Sequence, residues 1–320
     1  MRLSSQVVRL IAIVLMLSGA SLVCSQDYPT KPIRIITSPA GGGSDFSSRL
    51  VAQGLAPYIG QPVIVDNKGS TIISLEVASK ALPDGYTLTV QGGVVWIYPL
   101  LQKAPYDAVR DFTPITLLSL EPSMLAVHPS VPAKSVKELI DLAKSKPGVL
   151  NYASAAAGGV PHLSAELFKS MAGVNIVWVP YKGSGVALTA LLGNEVQMLI
   201  SDVGFLMPHV KSGKLRALAV TTAQPSPLTP GLPTVASSGL PGYESVGRTG
   251  IWAPSKTPDA IINRLNREIV RALNQTEIKD KVLTAGAEVV GNTPEQFAAL
   301  IKADIVKWSK VIKDAGIKVD

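Results

Sequence analysis

Cysteine is all but missing from this chain of 320 residues: the single one is Cys24, close to the start. Beyond that point the chain can form no disulfide and carries no thiol chemistry. Histidine is nearly as scarce. His128, His162 and His209 stand far apart with no paired ligand spacing, so no metal site is expected. No Gly-x-x-x-x-Gly-Lys run occurs, which excludes P-loop chemistry, and Gly41-Gly42-Gly43 fails the dinucleotide pattern because Phe46 stands where a third glycine belongs. There is no Gly-x-Ser-x-Gly elbow, and no nucleophile is recognisable beside a base. Basic residues do not interleave with aromatics, so nucleic acid is not an expected partner. No cofactor is expected either.

Charged residues make up only 17% of the chain and hydrophobic ones 47%, a balance that excludes disorder. Part of the apolar weight lies in a leader. Arg2 and Arg9 flank the start of an apolar run, Leu10–Leu17, which Ser18, Gly19, Ala20 and Ser21 follow. That is the order of a secretory signal peptide, and the run is short for a membrane span. Cleavage after Ser25 is the first choice and after Ala20 the second. Lipid attachment at Cys24 ranks below both, because Val23 occupies the position where a small residue belongs. An exported, soluble mature chain is the expectation. Losing residues 1–25 removes Arg2 and Arg9 and lowers the formal net charge from +7 to +5. The mild basicity left suits a small acidic ligand, or serves only solubility.

The chain is organised around Thr37–Arg49, Thr-Ser-Pro-Ala-Gly-Gly-Gly-Ser-Asp-Phe-Ser-Ser-Arg. Before it, Ile33, Ile35 and Ile36 read as a buried strand; after it, Phe46, Leu50, Val51, Leu55 and Tyr58 recur at helical spacing. A strand, a glycine turn and a helix N-terminus make an anion site, because first-turn amides lack helical partners and the helix dipole favours negative charge. Strands follow over 62–66 and 87–90, a helix over 73–82, and a Gly92-Gly93 turn. Thr113–Leu120 and Ser123–Val127 add further strand-like runs. The opening pattern then recurs: a strand over 150–154, the small-residue turn Ala155–Gly159, and a helix with Pro161 at its start and Leu163, Leu167, Phe168 and Met171 as its apolar stripe. Lys182–Gly185 is a third glycine turn, strands follow over 198–200 and 215–221, and Gln224–Gly242 is a long loop. Thr249–Ala253 reads as a crossing strand, followed by helices over 257–273 and 295–314. Alternating strands and helices predict a largely parallel sheet with ligands at the strands' carboxyl ends.

The chain therefore carries two anion-cradle candidates, Ala40–Asp45 and Ala155–His162, in two successive α/β blocks. Asp45 also suits a helix's first turn without any ligand, and His162 either donates to an anion or caps its helix. Asp202, at a strand's end, either meets a ligand or satisfies a loop amide. Arg248 is placed to make a bidentate contact with a second carboxylate, or is simply exposed.

These residues carry a resemblance. Tyr28-Pro-Thr-Lys-Pro-Ile-Arg34, Pro39-Ala-Gly-Gly-Gly-Ser-Asp45, Leu82-Pro-Asp-Gly-Tyr-Thr-Leu88, Val179-Pro-Tyr-Lys-Gly183, Lys211-Ser-Gly-Lys-Leu-Arg-Ala-Leu-Ala-Val-Thr221 and Gly239-Leu-Pro-Gly-Tyr243 stand in order along the chain. It resembles the Bug-type periplasmic solute-binding receptors of tripartite tricarboxylate transporters. The resemblance implies an α/β type II periplasmic binding protein fold, with two lobes joined by crossing strands around a ligand cleft. The implied division is 26–125 for the first lobe, 126–248 for the second and 249–320 for the return to the first. It also implies one ligand carboxylate held between the two glycine loops, with Ser38, Ala40, Gly41, Gly42 and Asp45 on one side and Ala157, Gly158, Gly159 and His162 on the other. The sequence departs from the family at Asn67–Ile73, around Arg248-Thr249-Gly250, and at Trp96, expected in a loop; all three are expected to line the far end of the pocket. The expectation is a monomeric, non-enzymatic receptor for a small carboxylate, either di- or tricarboxylic or aromatic, that hands it to membrane transporter subunits or a sensor. The alternatives are a secreted hydrolase or transferase acting on a carboxylate ester, and a sensing module.

Overall fold

The computed structural model describes residues 28–155 and 157–317. The leader, its cleavage points and Cys24 lie outside the described residues. The first block runs β1 (Ile33–Thr37), α1 (Gly43–Ile59), β2 (Val63–Asn67), α2 (Thr71–Ser79), β3 (Thr87–Gly92), α3 (Val94–Leu101) and the long β4 (Phe112–Glu121). The second comprises β5 (Ser123–Val127), α4 (Val136–Ser145), β6 (Asn151–Ser154), α5 (Val160–Ala172), β7 (Val177–Pro180), α6 (Ser184–Leu192), β8 (Met198–Asp202), α7 (Val203–Lys211) and β9 (Arg216–Val220). The chain returns through β10 (Gly247–Pro254), α8 (Asp259–Leu273), α9 (Thr276–Thr284), β11 (Glu288–Val289) and α10 (Pro294–Asp314).

The strands form two sheets, one per lobe. The first has the order β11-β4-β10-β3-β1-β2 and the second β7-β6-β8-β5-β9. β1 pairs in parallel with β2 and β3, whereas β10 lies antiparallel between β3 and β4. The strand expected to cross between lobes is thus an interior strand of the first sheet, longer than the sequence pattern suggested. The crossings themselves are short. Pro122 alone separates β4 from β5, and on the return path the Thr221 amide donates to the Ser123 carbonyl at 2.9 Å while Gly247 pairs with Glu121. The two connections therefore run side by side and share hydrogen bonds.

Alternation of apolar residues explains the layers. Ile33, Ile35, Leu88, Val90, Ile115 and Ile251 bury one face of the first sheet against α1 and α8, and Ile36, Leu75, Trp96, Trp252 and Phe297 fill the other. Each such fully buried side chain contributes about 1.5–3 kcal/mol of transfer free energy. α10 opens with a capping box, Thr293 to the Gln296 amide and Gln296 back to Thr293, which fixes its start. Its first turns, through Phe297 and Ile301, pack in the first lobe; Trp308, Val311 and Ile312 enter the core of the second. The return segment expected to belong to the first lobe therefore packs on both. Among the described residues no helix is long and apolar enough to cross a membrane.

Candidate functional site

The helix starts differ in how they are capped. α2, α4 and α10 have side-chain caps, with Ser70, Ser135 and Thr293 accepting from an amide of the first turn. α1, α3, α5 and α6 do not: their N-caps are Gly42, Gly93, Gly159 and Gly183, with no side chain to accept that bond. Each of these four follows the carboxyl end of a strand, β1, β3, β6 or β7. Where a serine or aspartate would satisfy the helix internally, glycine leaves the amides to a ligand. That is the end of an α/β sheet where ligands belong.

In the β1–α1 loop, Gly41 adopts φ +87°, a conformation glycine enters without strain. Its N–H donates to Asp45 Oδ2 at 2.9 Å. Asn67 Nδ2 donates to Asp45 Oδ1 at 2.9 Å and to the Ser38 carbonyl at 2.7 Å, and Arg49 closes on Asp45 at 3.0 Å. Burial pushes the Asp45 carboxyl up, but the bonds from Gly41, Arg49 and Asn67 outweigh it and hold the group below the usual carboxylate range. Both Asp45 oxygens are thus engaged within the loop. It shapes the loop and is not free to contact a ligand, and an ionised carboxylate would in any case repel an anion. The first helical bond runs from the Phe46 amide to the Gly42 carbonyl, which leaves the amides of Gly43 and Ser44 open. Ser38 donates through Oγ to Gln91 at 2.7 Å, and Ala40 lies on the exposed side of the loop.

The β6–α5 loop repeats this geometry with different chemistry. Gly158 has φ +74°, and its N–H donates to His162 Nδ1 at 3.0 Å. The keeper again stands four residues beyond the left-handed glycine. His162 is 3% exposed and stacks on Trp178 with ring centres 4.1 Å apart. Burial lowers its basicity, Glu166 opposes that shift, and Lys169 reinforces it. Nδ1 accepts, so the proton sits on Nε2 and points toward Glu166, 4.0 Å away. The anion-donor role considered for His162 is therefore corrected: the ring holds the loop from behind. Pro161 has no N–H and the Leu163 amide bonds the Gly159 carbonyl, so Val160 and His162 supply the open amides. Ala157 is half-buried, and Gly158 packs against Leu101 of α3, across the lobe boundary.

Two cavities meet at Glu121. One, of about 230 Å³, is lined by Gly41, Gly42, Gly43 and Phe46 with Ser119 and Glu121 of β4. The other, of about 170 Å³, lies between the lobes, with Trp96, Glu121 and Arg248 on one side and Val160 and Leu163 of α5 on the other. Glu121, which no sequence pattern singled out, has its carboxyl pushed up to about 7 by burial. Hydrogen bonds from Ser119 and Thr249 oppose that rise and the Asp202 charge adds to it. Its only signal was a glutamate before a proline at a strand end. Asp202 reaches solvent at the head of α7, yet the protein on its inner side raises its carboxyl, with the Ser123 hydroxyl opposing.

Two expectations for the far end change. Trp96 is not in a loop but on α3, 1% exposed, its ring against Trp252 and Phe297. Arg248 is not exposed but buried, with Nη1 on Asp304 at 3.1 Å and Nη2 on Glu244 at 2.9 Å. Its two forked donors are already taken. Of the departures at Asn67–Ile73, Asn67 braces the first loop and Ser70 caps α2.

The model of the tripartite tricarboxylate transporter family receptor matches residues 47–317. The protein BugT of Bordetella pertussis is 33% identical over 306 residues, covering 94% of each chain. Among solved structures, Rpa4515 of Rhodopseudomonas palustris, solved with adipate, is 36% identical with a TM-score of 0.71, covering 91% of this chain and 99% of that one. MatC of the same organism, solved with malate, is 29% identical with a TM-score of 0.66, covering 89% and 100%. The chain belongs to the tripartite tricarboxylate transporter family of receptors.

Proposed function

We propose that this chain is an exported solute-binding receptor that captures a small organic carboxylate between the β1–α1 and β6–α5 loops and presents it to a membrane transporter. The observation that carries the reading is the repeated construction: a left-handed glycine tied to a side chain four residues on, then a glycine cap that leaves first-turn amides open. Two such loops supply an uncharged, preorganised set of donors at helix N-termini, which suits an anion. The adipate and malate of the two solved relatives are small carboxylates. Gly42, Gly158 and their neighbours make the contact in this reading; Asp45 and His162 fix the loops. Opening and closing of the lobes follow from the paired crossings at Pro122 and Thr221.

Calorimetric titration with adipate, malate and other small carboxylates tests this. A bound acid should raise the melting temperature with concentration, by the equivalent of about 2.7 kcal/mol at a hundredfold excess over Kd. Binding should be lost when the acid is replaced by its amide. Equal binding of acid and amide, or consumption of the compound, would contradict the reading.

A further inference from the structure

We infer that Glu121 reads the far end of the ligand and selects a carboxylate whose chain ends in a positively charged amino group. The inference rests on the proposed carboxylate capture and narrows it to one class of acid.

Glu121 is the last residue of β4, half-buried, and it lines both the cavity at the first glycine loop and the cavity between the lobes. Its Oε1 accepts from the Ser119 hydroxyl at 2.8 Å. Oε2 lies beside Gly247, where an added Cβ would stand 2.8 Å from it, so glycine at 247 makes the room that the carboxyl occupies. What this carboxyl lacks is a cation. Arg248 directs Nη1 to Asp304 and Nη2 to Glu244, and Lys307 closes on Asp304 at 2.9 Å. Among the described residues no salt bridge reaches Glu121; across the strands it feels the like charge of Asp202 on β8 and, more weakly, Arg248 on β10. Burial pushes its carboxyl up to about 7, and a carboxylate left in that state is stabilised by an arriving positive charge. A metal ion is a poor match, because among the described residues no three His, Cys, Asp or Glu side chains gather to hold one. An ammonium needs only acceptors. Its place along the ligand follows from the helix ends. α1, α3 and α5 bring bare N-termini to these cavities through Gly42, Gly93 and Val160, and their positive ends repel a cation. An ammonium beside the ligand's own carboxylate would lie against them, whereas one at the far end of the chain meets Glu121. Ile97, Leu163 and Trp308 give the methylenes in between an apolar wall.

Calorimetry with matched straight-chain acids of four to six carbons tests this: the plain acid, the acid with an amino group on its last carbon, the acid with its amino group next to the carboxylate, and the dicarboxylate. The best ω-amino acid should bind about tenfold or more tighter than the other three of its length. Its affinity should rise about tenfold between pH 6 and pH 8, as a carboxyl titrating near 7 loses its proton. The plain acid should lack that rise. Glu121→Gln, which keeps the shape and removes the charge, should abolish the rise and bring the ω-amino acid and the plain acid within about threefold of each other. Tighter binding of the dicarboxylate, an ω-amino acid no better than the plain one, or a preference that survives Glu121→Gln would overturn the inference and leave carboxylate capture standing. If no acid in any series binds, capture itself fails and the inference with it.

Discussion

The two glycine loops reach one backbone geometry by opposite means. In the first, the keeper is an ionised aspartate, braced by Arg49 and Asn67 at the edge of solvent. In the second it is a neutral imidazole, buried and stacked between aromatic rings. What the loops share is the backbone, a left-handed glycine and a bare glycine cap. In the proposed reading the recognition surface is made of amides, and the conspicuous side chains stand behind it. Keeper residues have the same chemistry as ligand contacts, which is why the sequence alone places Asp45 and His162 at the ligand.

The largest difference between the loops should appear on deleting the keepers. Asp45→Ala leaves the Gly41 amide, Asn67 and Arg49 without their shared acceptor. It should cost about 2–4 kcal/mol in urea unfolding, scaled down from the buried-pair range because Arg49 is exposed. Carboxylate affinity should fall more than tenfold. A loss under about 0.5 kcal/mol would show that the first loop holds its shape without a keeper.

Next come the left-handed glycines. Gly41 has open space where a Cβ would stand, whereas at Gly158 it would meet Leu101 Cδ1 at 2.5 Å. Gly41→Ala should cost about 1–2 kcal/mol from backbone strain alone, and Gly158→Ala about 1–3 kcal/mol more from overpacking. Combining Gly158→Ala with Leu101→Ala should be less costly than the sum. Equal costs at the two glycines would remove the packing difference.

Acid separates the loops further. His162 is held below the ordinary imidazole range, so the unfolded chain takes the proton first. The histidine's contribution is fully present above pH ~6.5 and is lost as pH falls from there. Glu121 has the opposite sign: its carboxyl is raised to about 7, so its contribution is present below the ordinary carboxylate range and is lost as pH rises through about 7. His162→Asn, which keeps an acceptor that does not titrate, should flatten the acid limb of a stability–pH curve, and Glu121→Gln the limb from about pH 5 to 7. An unchanged acid limb in His162→Asn would mean that the second loop is not held as described.

The smallest effect runs against intuition. Gly42→Ser and Gly159→Ser each provide the missing cap and should stabilise the ligand-free protein by a few tenths of a kcal/mol. The same hydroxyl takes an amide the ligand needs, so affinity should drop. Higher melting temperature with undiminished affinity would argue against the amides as the binding groups.

Much of the fold was legible because its signals are local. The isoleucines of β1, the capping box at Thr293 and the glycine turns each lie within a few residues. α3 was not legible: Val94-Val95-Trp96-Ile97 is apolar throughout, so it has no 3.6-residue period, and its β-branched residues favour strand. The pairing of Arg248 with Asp304 spans 56 residues and leaves no trace in a short window. Glu121 acquires its raised carboxyl only where two strands cross between lobes, a place that exists in the fold and not in the chain.

Backbone amide NMR during titration with adipate tests the central claim most directly. The account predicts that the amides of Gly43 and Ser44 in one loop and of Val160 and His162 in the other shift together, with a single apparent affinity. The amides at the serine-capped starts of α2 and α4 should stay still. Shifts confined to one loop, or an affinity that differs between the two, would contradict it.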